Sequence, residues 1–183
     1  MNMMADFYTV PSLVLDELIA NKRLNKDAKI LCPYDPQRIL ADQLIAKGFT
    51  KVFASSDEST VVDPIWWVQQ RDQNFDWVLS VSLGLRELKN YVMDYGMQTA
   101  RKGLIILDRL SFLEPVESRR NFLTTYKLSD IIVFSPRPQF RALGGTKDSV
   151  TSAWFIFEHG WMDGPNLSFS INWNRPNTLP PLP

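Results

Sequence analysis

The chain has 183 residues, of which 45% are hydrophobic, 22% charged and 12% aromatic, a profile that suits one ordinary domain with a continuous core. Twenty basic residues cancel twenty acidic ones, so no global field steers the protein towards nucleic acid or an anionic membrane. One cysteine, Cys32, and one histidine, His159, exclude a disulfide framework and any Cys- or His-paired metal site, and leave little room for a Ser-His-Asp triad. The first ten residues, Met1 to Val10, carry Asp6 and no basic residue, which is wrong for a secretory signal. No run of about 18 apolar residues occurs. The expectation is a cytoplasmic protein without membrane contact.

In chain order, Pro11-Ser12 followed by Leu13, Val14, Leu15, Leu18 and Ile19 predicts a helix with an apolar face. Ala28 to Cys32 (AKILC) predicts a short buried strand, closed by Pro33 and Pro36. From Gln37 to Lys47 the apolar positions Ile39, Leu40, Leu44 and Ile45 take helical spacing, with Gly48 as C-cap. Lys51 to Ala54 (KVFA) is the second strand, and Val61-Val62 stands as a short third strand after an acidic, hydroxyl-rich turn. Trp77 to Val81 (WVLSV) is the next strand. Leu85, Leu88, Val92 and Tyr95 form a helix stripe ending near Gly103, and Leu104 to Leu107 (LIIL) is a buried strand. Glu114 to Tyr126 carries Val116, Phe122 and Leu123 at helical spacing. Ile131 to Phe134 (IIVF) and Ala153 to Phe157 (AWFIF) are two further strands, joined by the glycine- and proline-punctuated segment Ser135 to Ser152.

Strands alternating with helices argue for an α/β domain with a mostly parallel sheet. Only the last strand pair lacks an intervening helix, which predicts an antiparallel hairpin at the end of the sheet. One domain spans residues 1–172, and a Pro-rich tail follows over residues 173–183. Its last residues, Thr178 to Pro183 (TLPPLP), favour an extended backbone.

The second half carries a more specific pattern. Gly103 to Trp161 contains GLIILDRLSFLEPVESRRNFL, then SDIIVFSPRPQF, then KDSVTSAWFIF. This stretch resembles the C-terminal half of phage- and prophage-type DNA adenine-N6 methyltransferases. The matching residues are Arg109, Phe112, Leu113, Glu114, Arg119 and Arg120, then Arg137, Pro138 and Phe140, then Asp148, Trp154 and Phe155. The resemblance implies the Rossmann-like fold of class I, S-adenosylmethionine-dependent methyltransferases, with helices on both faces of the sheet. The first hundred residues match that family only in their succession of strands and helices.

Chemistry in that family resides in the half that matches less well. The turn after the first strand needs glycines, so that backbone can approach the cofactor. This chain has no glycine before Gly48. Where the family has Asp-Pro-x-x-Gly-x-Gly, the segment here is Cys32-Pro33-Tyr34-Asp35-Pro36-Gln37, with only Pro33 retained. Its prolines also lack amide donors. The acid that accepts the ribose hydroxyls would be Asp57 or Glu58, either of which reads equally as a solvated turn residue. The family's catalytic Asn/Asp-Pro-Pro-aromatic element, whose ring stacks on a flipped-out base, falls on Val81-Ser82-Leu83-Gly84. All four positions differ. Both losses together indicate a degenerate enzyme that does not bind S-adenosylmethionine. The alternative is a working adenine-N6 enzyme whose motif is Asp63-Pro64-Ile65-Trp66, although Asp-Pro opens many turns.

Other groups have bland readings beside sharper ones. Arg137, Arg141 and Lys147 share a segment with Phe140, and arginine beside an aromatic in a loop suits phosphate pairing and base stacking. An ordinary loop with solvated charges explains them equally well. Arg119-Arg120 read as solvent-facing or paired with Glu117 or Asp108, Asp148 as a loop-orienting residue, and His159 as a turn residue. Cys32 reads as a small buried hydrophobe. The sequence therefore predicts a catalytically inactive methyltransferase-fold protein that binds nucleic acid or a protein partner. An active S-adenosylmethionine-dependent enzyme and a structural protein that self-assembles are the competing readings.

Overall fold

Helix α1 (Ser12–Lys22) starts directly after Pro11 and buries Val14, Leu15 and Leu18. Strand β1 (Lys29–Cys32), α2 (Ile39–Ala46) and β2 (Lys51–Ala54) follow. Two short helices, α3 (Glu58–Val61) and α4 (Pro64–Arg71), lead to β3 (Trp77–Val81). Next come α5 (Arg86–Thr99), β4 (Gly103–Arg109), a 3-10 turn (Leu110–Leu113) and α6 (Glu117–Thr125). Strands β5 (Leu128–Ser135), β6 (Ser152–Glu158) and β7 (Asn166–Ile171) close the chain. The structure is a computed structural model that describes residues 10–22, 24–83, 85–114, 116–135, 137–138, 140 and 150–171. The expected tail, 173–183, lies outside them.

The seven strands form one sheet in the order β2-β1-β3-β4-β6-β5-β7. Strand β6 runs antiparallel to both β4 and β5, and every other neighbouring pair is parallel. The expected α/β architecture and its antiparallel hairpin are thus present. Side chains alternate across each strand and sort the core into two layers. Ile105 and Leu107 of β4 join Leu15 and Leu18 of α1 and Leu40 and Leu44 of α2. Leu104 and Ile106 join Trp67, Val92, Met97 and Phe122 from α4, α5 and α6 on the opposite side. Helices therefore cover both faces.

Two details fix the frame. Gly103 opens β4 where it passes β6, and a Cβ there would lie 1.9 Å from the Phe157 carbonyl oxygen. Only glycine fits so close a backbone approach. Helix α1 is held from both ends of its length: the Trp154 indole donates to Val14 O at 2.8 Å, and Lys22 reaches Asp130 at 2.8 Å and also pairs with Glu158.

The segment expected as a third strand is helical instead. Asp57 accepts from Ser59 N and caps α3, while Asp63 accepts from Ile65 N and caps α4. Val61 ends α3, fully buried, and its carbonyl accepts the Trp67 indole N–H at 2.8 Å. Two consecutive caps override the strand propensity of a two-valine run. As a result β2 stands at the edge of the sheet, with β1 as its one neighbour among the described residues. Strand β7 is an addition that the sequence reading lacked. Its alternation of Leu167, Ser168, Phe169 and Ser170 has the strand period.

Candidate functional site

The turn after β1 is where sequence and structure meet most directly. Cys32, Pro33 and Asp35 are buried and Tyr34 is half-buried. Asp35 N donates to Ser55 O at 2.7 Å, and Ser55 N donates to Cys32 O at 3.0 Å, which folds the turn down onto the residue following β2. The Asp35 carboxylate accepts the α2 amides of Leu40 at 3.2 Å and Ala41 at 2.8 Å. The positive end of the helix is thereby satisfied by the chain's own anion. Burial pushes the Asp35 carboxyl up, against the opposing effect of those amide bonds. Arg38, the N-cap of α2, takes φ 54°, a conformation that favours glycine. A glycine-like backbone therefore survives here without the glycine.

Neighbouring groups in the turn are equally committed. The buried Cys32 thiol is pushed well up by burial and by the charge of Asp35, so it is a packed side chain and not a thiolate. Burial, with Glu58 and Asp57 nearby, raises the Tyr34 phenol. Asp57 does follow β2, as expected, but its Oδ1 accepts both Ser59 N at 2.9 Å and Ser59 Oγ at 2.7 Å. Those bonds hold its carboxyl below the usual range.

At the end of β3, Val81 is half-buried while Ser82 and Leu83 are buried. Leu83 packs in the α1–α2 layer of the core. Ser82 N donates to Leu107 O at 2.9 Å, and its hydroxyl lies 3.3 Å from that of Ser80. Gly84 lies outside the described residues. In the rival motif, the Asp63 carboxylate caps α4, Ile65 is exposed, and Trp66 packs edge-on against Trp67 with centroids 4.9 Å apart. The motif's residue types are those of a helix start with Pro at its first position.

A cavity of about 750 Å³ opens at the C-terminal end of β4, where α5 and α6 begin. Its charged lining includes Glu58, Lys89, Asp108, Arg109, Glu114 and Arg119. Asp108 is almost wholly buried and pairs with Lys89. Burial pushes its carboxyl up and the lysine opposes that rise. Arg119 donates to Ser111 O at 2.8 Å and lies 5.7 Å from the Phe112 ring centroid. The sequence reading missed Lys89, whose role is legible only once β4 brings Asp108 to it.

Arg137 is exposed beyond the end of β5. Phe140 is fully buried within the core, so its ring is not presented for stacking on a base. Arg141, Lys147 and Asp148 lie outside the described residues. His159 is in a turn, as expected, and its Nε2 lies 2.7 Å from Met97 O and 3.0 Å from Ala100 O at the end of α5. No helix among the described residues is long and apolar enough to cross a membrane.

No protein-family model matches the chain, and no curated protein sequence does so at a significant level. Solved structures do match. One is a modification subunit of a candidate type I restriction enzyme from Vibrio vulnificus, with TM-score 0.61 and 8% identity over 94% of this chain and 49% of that one. Another is a candidate class I S-adenosylmethionine-dependent methyltransferase from Listeria monocytogenes, with TM-score 0.54 and 15% identity over 92% and 67%. A third comes from a study of assembly and conformational transition in a type I restriction-modification system, with TM-score 0.55 and 13% identity over 92% and 45%. The chain spans about half the length of these restriction-modification proteins. At such identities the likeness shows the fold, which is that of class I methyltransferases.

Proposed function

We propose that this chain is a methyltransferase-fold protein that transfers no methyl group and acts by binding nucleic acid along the C-terminal edge of its sheet. One observation carries the first half: the Asp35 carboxylate occupies the amides at the start of α2, in the turn where the resemblance requires a glycine cradle for S-adenosylmethionine. A second carboxylate there would meet a buried anion, and Pro33 offers no amide. Ser59 already engages Oδ1 of Asp57, and Val81 carries no side-chain acceptor for an exocyclic amine.

The binding half rests on placement. Arg109 ends β4, Arg119 and Arg120 lie in the first turns of α6, and Arg137 follows β5. Parallel strands and their helices bring these four arginines to one edge of the sheet, where they stand among the carboxylates of Glu58, Glu87 and Glu114. Phosphate pairing by arginine needs only that edge, and the buried Phe140 has no stacking part in it.

Calorimetric titration with S-adenosylmethionine tests the first half, with no binding expected; micromolar affinity overturns it in favour of the active adenine-N6 enzyme. Fluorescence anisotropy on duplex DNA across a salt series tests the second. Arg109→Ala combined with Arg137→Ala should weaken binding and flatten the salt dependence by about 0.9 log units per lost phosphate contact. Unchanged affinity sinks that edge as the contact surface. The restriction-modification neighbours favour a protein partner as the second reading, in which DNA affinity is absent from the isolated chain.

A further inference from the structure

We infer that the free edge of β2 is a self-association surface, on which a second copy of this chain pairs its own β2 in antiparallel register. Strand β2 has β1 as its neighbour, Lys29 to Cys32 aligning with Lys51 to Ala54, and no other among the described residues. The phase of the open edge follows from Ser55, just after the strand. Its N–H donates to Cys32 O at 3.0 Å and its carbonyl accepts from Asp35 N at 2.7 Å, so both groups point inward. Backbone groups alternate sides along a strand. Phe53 therefore also turns its polar backbone inward, and Val52 and Ala54 turn theirs outward.

The antiparallel register that pairs both outward residues within the strand sets Val52 opposite Ala54 of the second copy. It places Phe53 on the twofold axis, facing itself as a non-hydrogen-bonded pair, where side chains approach most closely. Phe53 suits that position. Its ring packs edge-on against Phe75 with centroids 5.4 Å apart, yet the residue remains 46% exposed. Trp66 lines a crevice of about 510 Å³ beside it and adds apolar surface next to the axis. The charges are self-complementary in the same register. Lys51 faces Ser55 of the second copy and lies diagonally across from its Asp57, and the twofold repeats the pair. Parallel pairing would set Lys51 against Lys51 instead.

Light scattering on the full chain through a dilution series should show the mass doubling as concentration rises. Phe53→Asp puts two carboxylates on the axis and should raise the dissociation constant at least about tenfold. Lys51→Glu and Asp57→Lys should each weaken the dimer, and the two combined should restore it. Phe169→Asp, at the opposite sheet edge, should leave it unchanged, and circular dichroism confirms that each variant folds. A monomer at every concentration overturns the inference, as does a dimer indifferent to Phe53→Asp or abolished by Phe169→Asp. Slow amide exchange at Val52 and Ala54 in a purely monomeric sample also overturns it, because the edge is then covered by the chain's own residues.

Discussion

The Asp35 carboxylate bonds the Ala41 amide at 2.8 Å, six residues along the chain and inside the first turn of the helix that follows β1. A loop that could cradle a ligand is thus tied to its own helix by a buried anion. Two amides at the start of α2 already hold a carboxylate of the chain itself, and an anion brought to that helix end would meet its charge.

Replacing Asp35 by Ala removes that cap and should destabilise the fold by about 1–2 kcal/mol in urea denaturation. Asp35→Asn keeps an acceptor and should cost less. The raised native pKa means the folded state holds the Asp35 proton more tightly than the unfolded chain. This group's contribution to stability therefore falls as pH rises from 3.8 through its higher native value. Asp35→Asn should flatten the stability profile over that acid window, and an unchanged profile contradicts the assignment.

Lys22 joins the end of α1 to Asp130 and Glu158 on the β5–β6 hairpin, so its loss should loosen the docking of α1. Burial lowers the lysine's pKa, but hydrogen bonds and charge from the two carboxylates outweigh it and raise the value above 10.5. The stabilisation is fully present below 10.5 and is lost as pH climbs through the native value. Burial likewise works to raise Asp130, while bonds from Lys22, Ser129 and Asn166 outweigh it and hold it below 3.8. That part is lost as pH falls through the lower native value. Lys22→Met should cost about 2 kcal/mol at neutral pH, less than a fully buried pair because its partners keep some solvent contact. It should also remove the alkaline loss, as read from melting temperature against pH.

The half-buried Lys89 pairs with the buried Asp108 in the lining of the large cavity. Lys89→Leu strands the carboxylate and should cost about 3–5 kcal/mol. Asp108→Asn in the Lys89→Leu background removes the stranded charge and should recover a large part of that loss. A double-mutant cycle by chemical denaturation measures the coupling, and additive effects would contradict it.

Gly103→Ala places a methyl group against the Phe157 carbonyl, a clash that only backbone movement in β4 or β6 relieves. The expected cost is about 3 kcal/mol. By contrast, substitution at Gly164, whose Cβ position is open, should be near neutral. Thermal unfolding of the two variants makes the comparison.

The blocks behind the family resemblance owe much of their pattern to packing. Phe112, Pro138, Phe140, Trp154 and Phe155 are all buried, and Trp154 anchors α1 through Val14. Trp154 and Phe155 were legible because β6, covered on both faces, is a continuous apolar run. The same fact limits what they say about chemistry, since a buried ring reports the fold and not the ligand. The glycine-free turn was legible for a different reason. Backbone approach has a strict requirement, and its violation at Pro33 and Tyr34 needs no structure to notice.

The sequence by itself determined the α/β class, the positions of β1 to β6, the antiparallel pairing of β5 with β6 and the absence of glycine from the turn after β1. Each is a local property, set by hydrophobic period, turn residues or the lack of a side chain. Only the tertiary structure decided that Val61 is helical, that β6 inserts between β4 and β5, and that β7 extends the sheet. It alone brought Asp35 onto the α2 amides and Lys89 to Asp108. Those outcomes depend on which backbone groups and charges become neighbours after the chain closes. A carboxylate in a turn, read in sequence, is a solvated residue or a cap with equal ease; its burial against two amides is what makes it a cap.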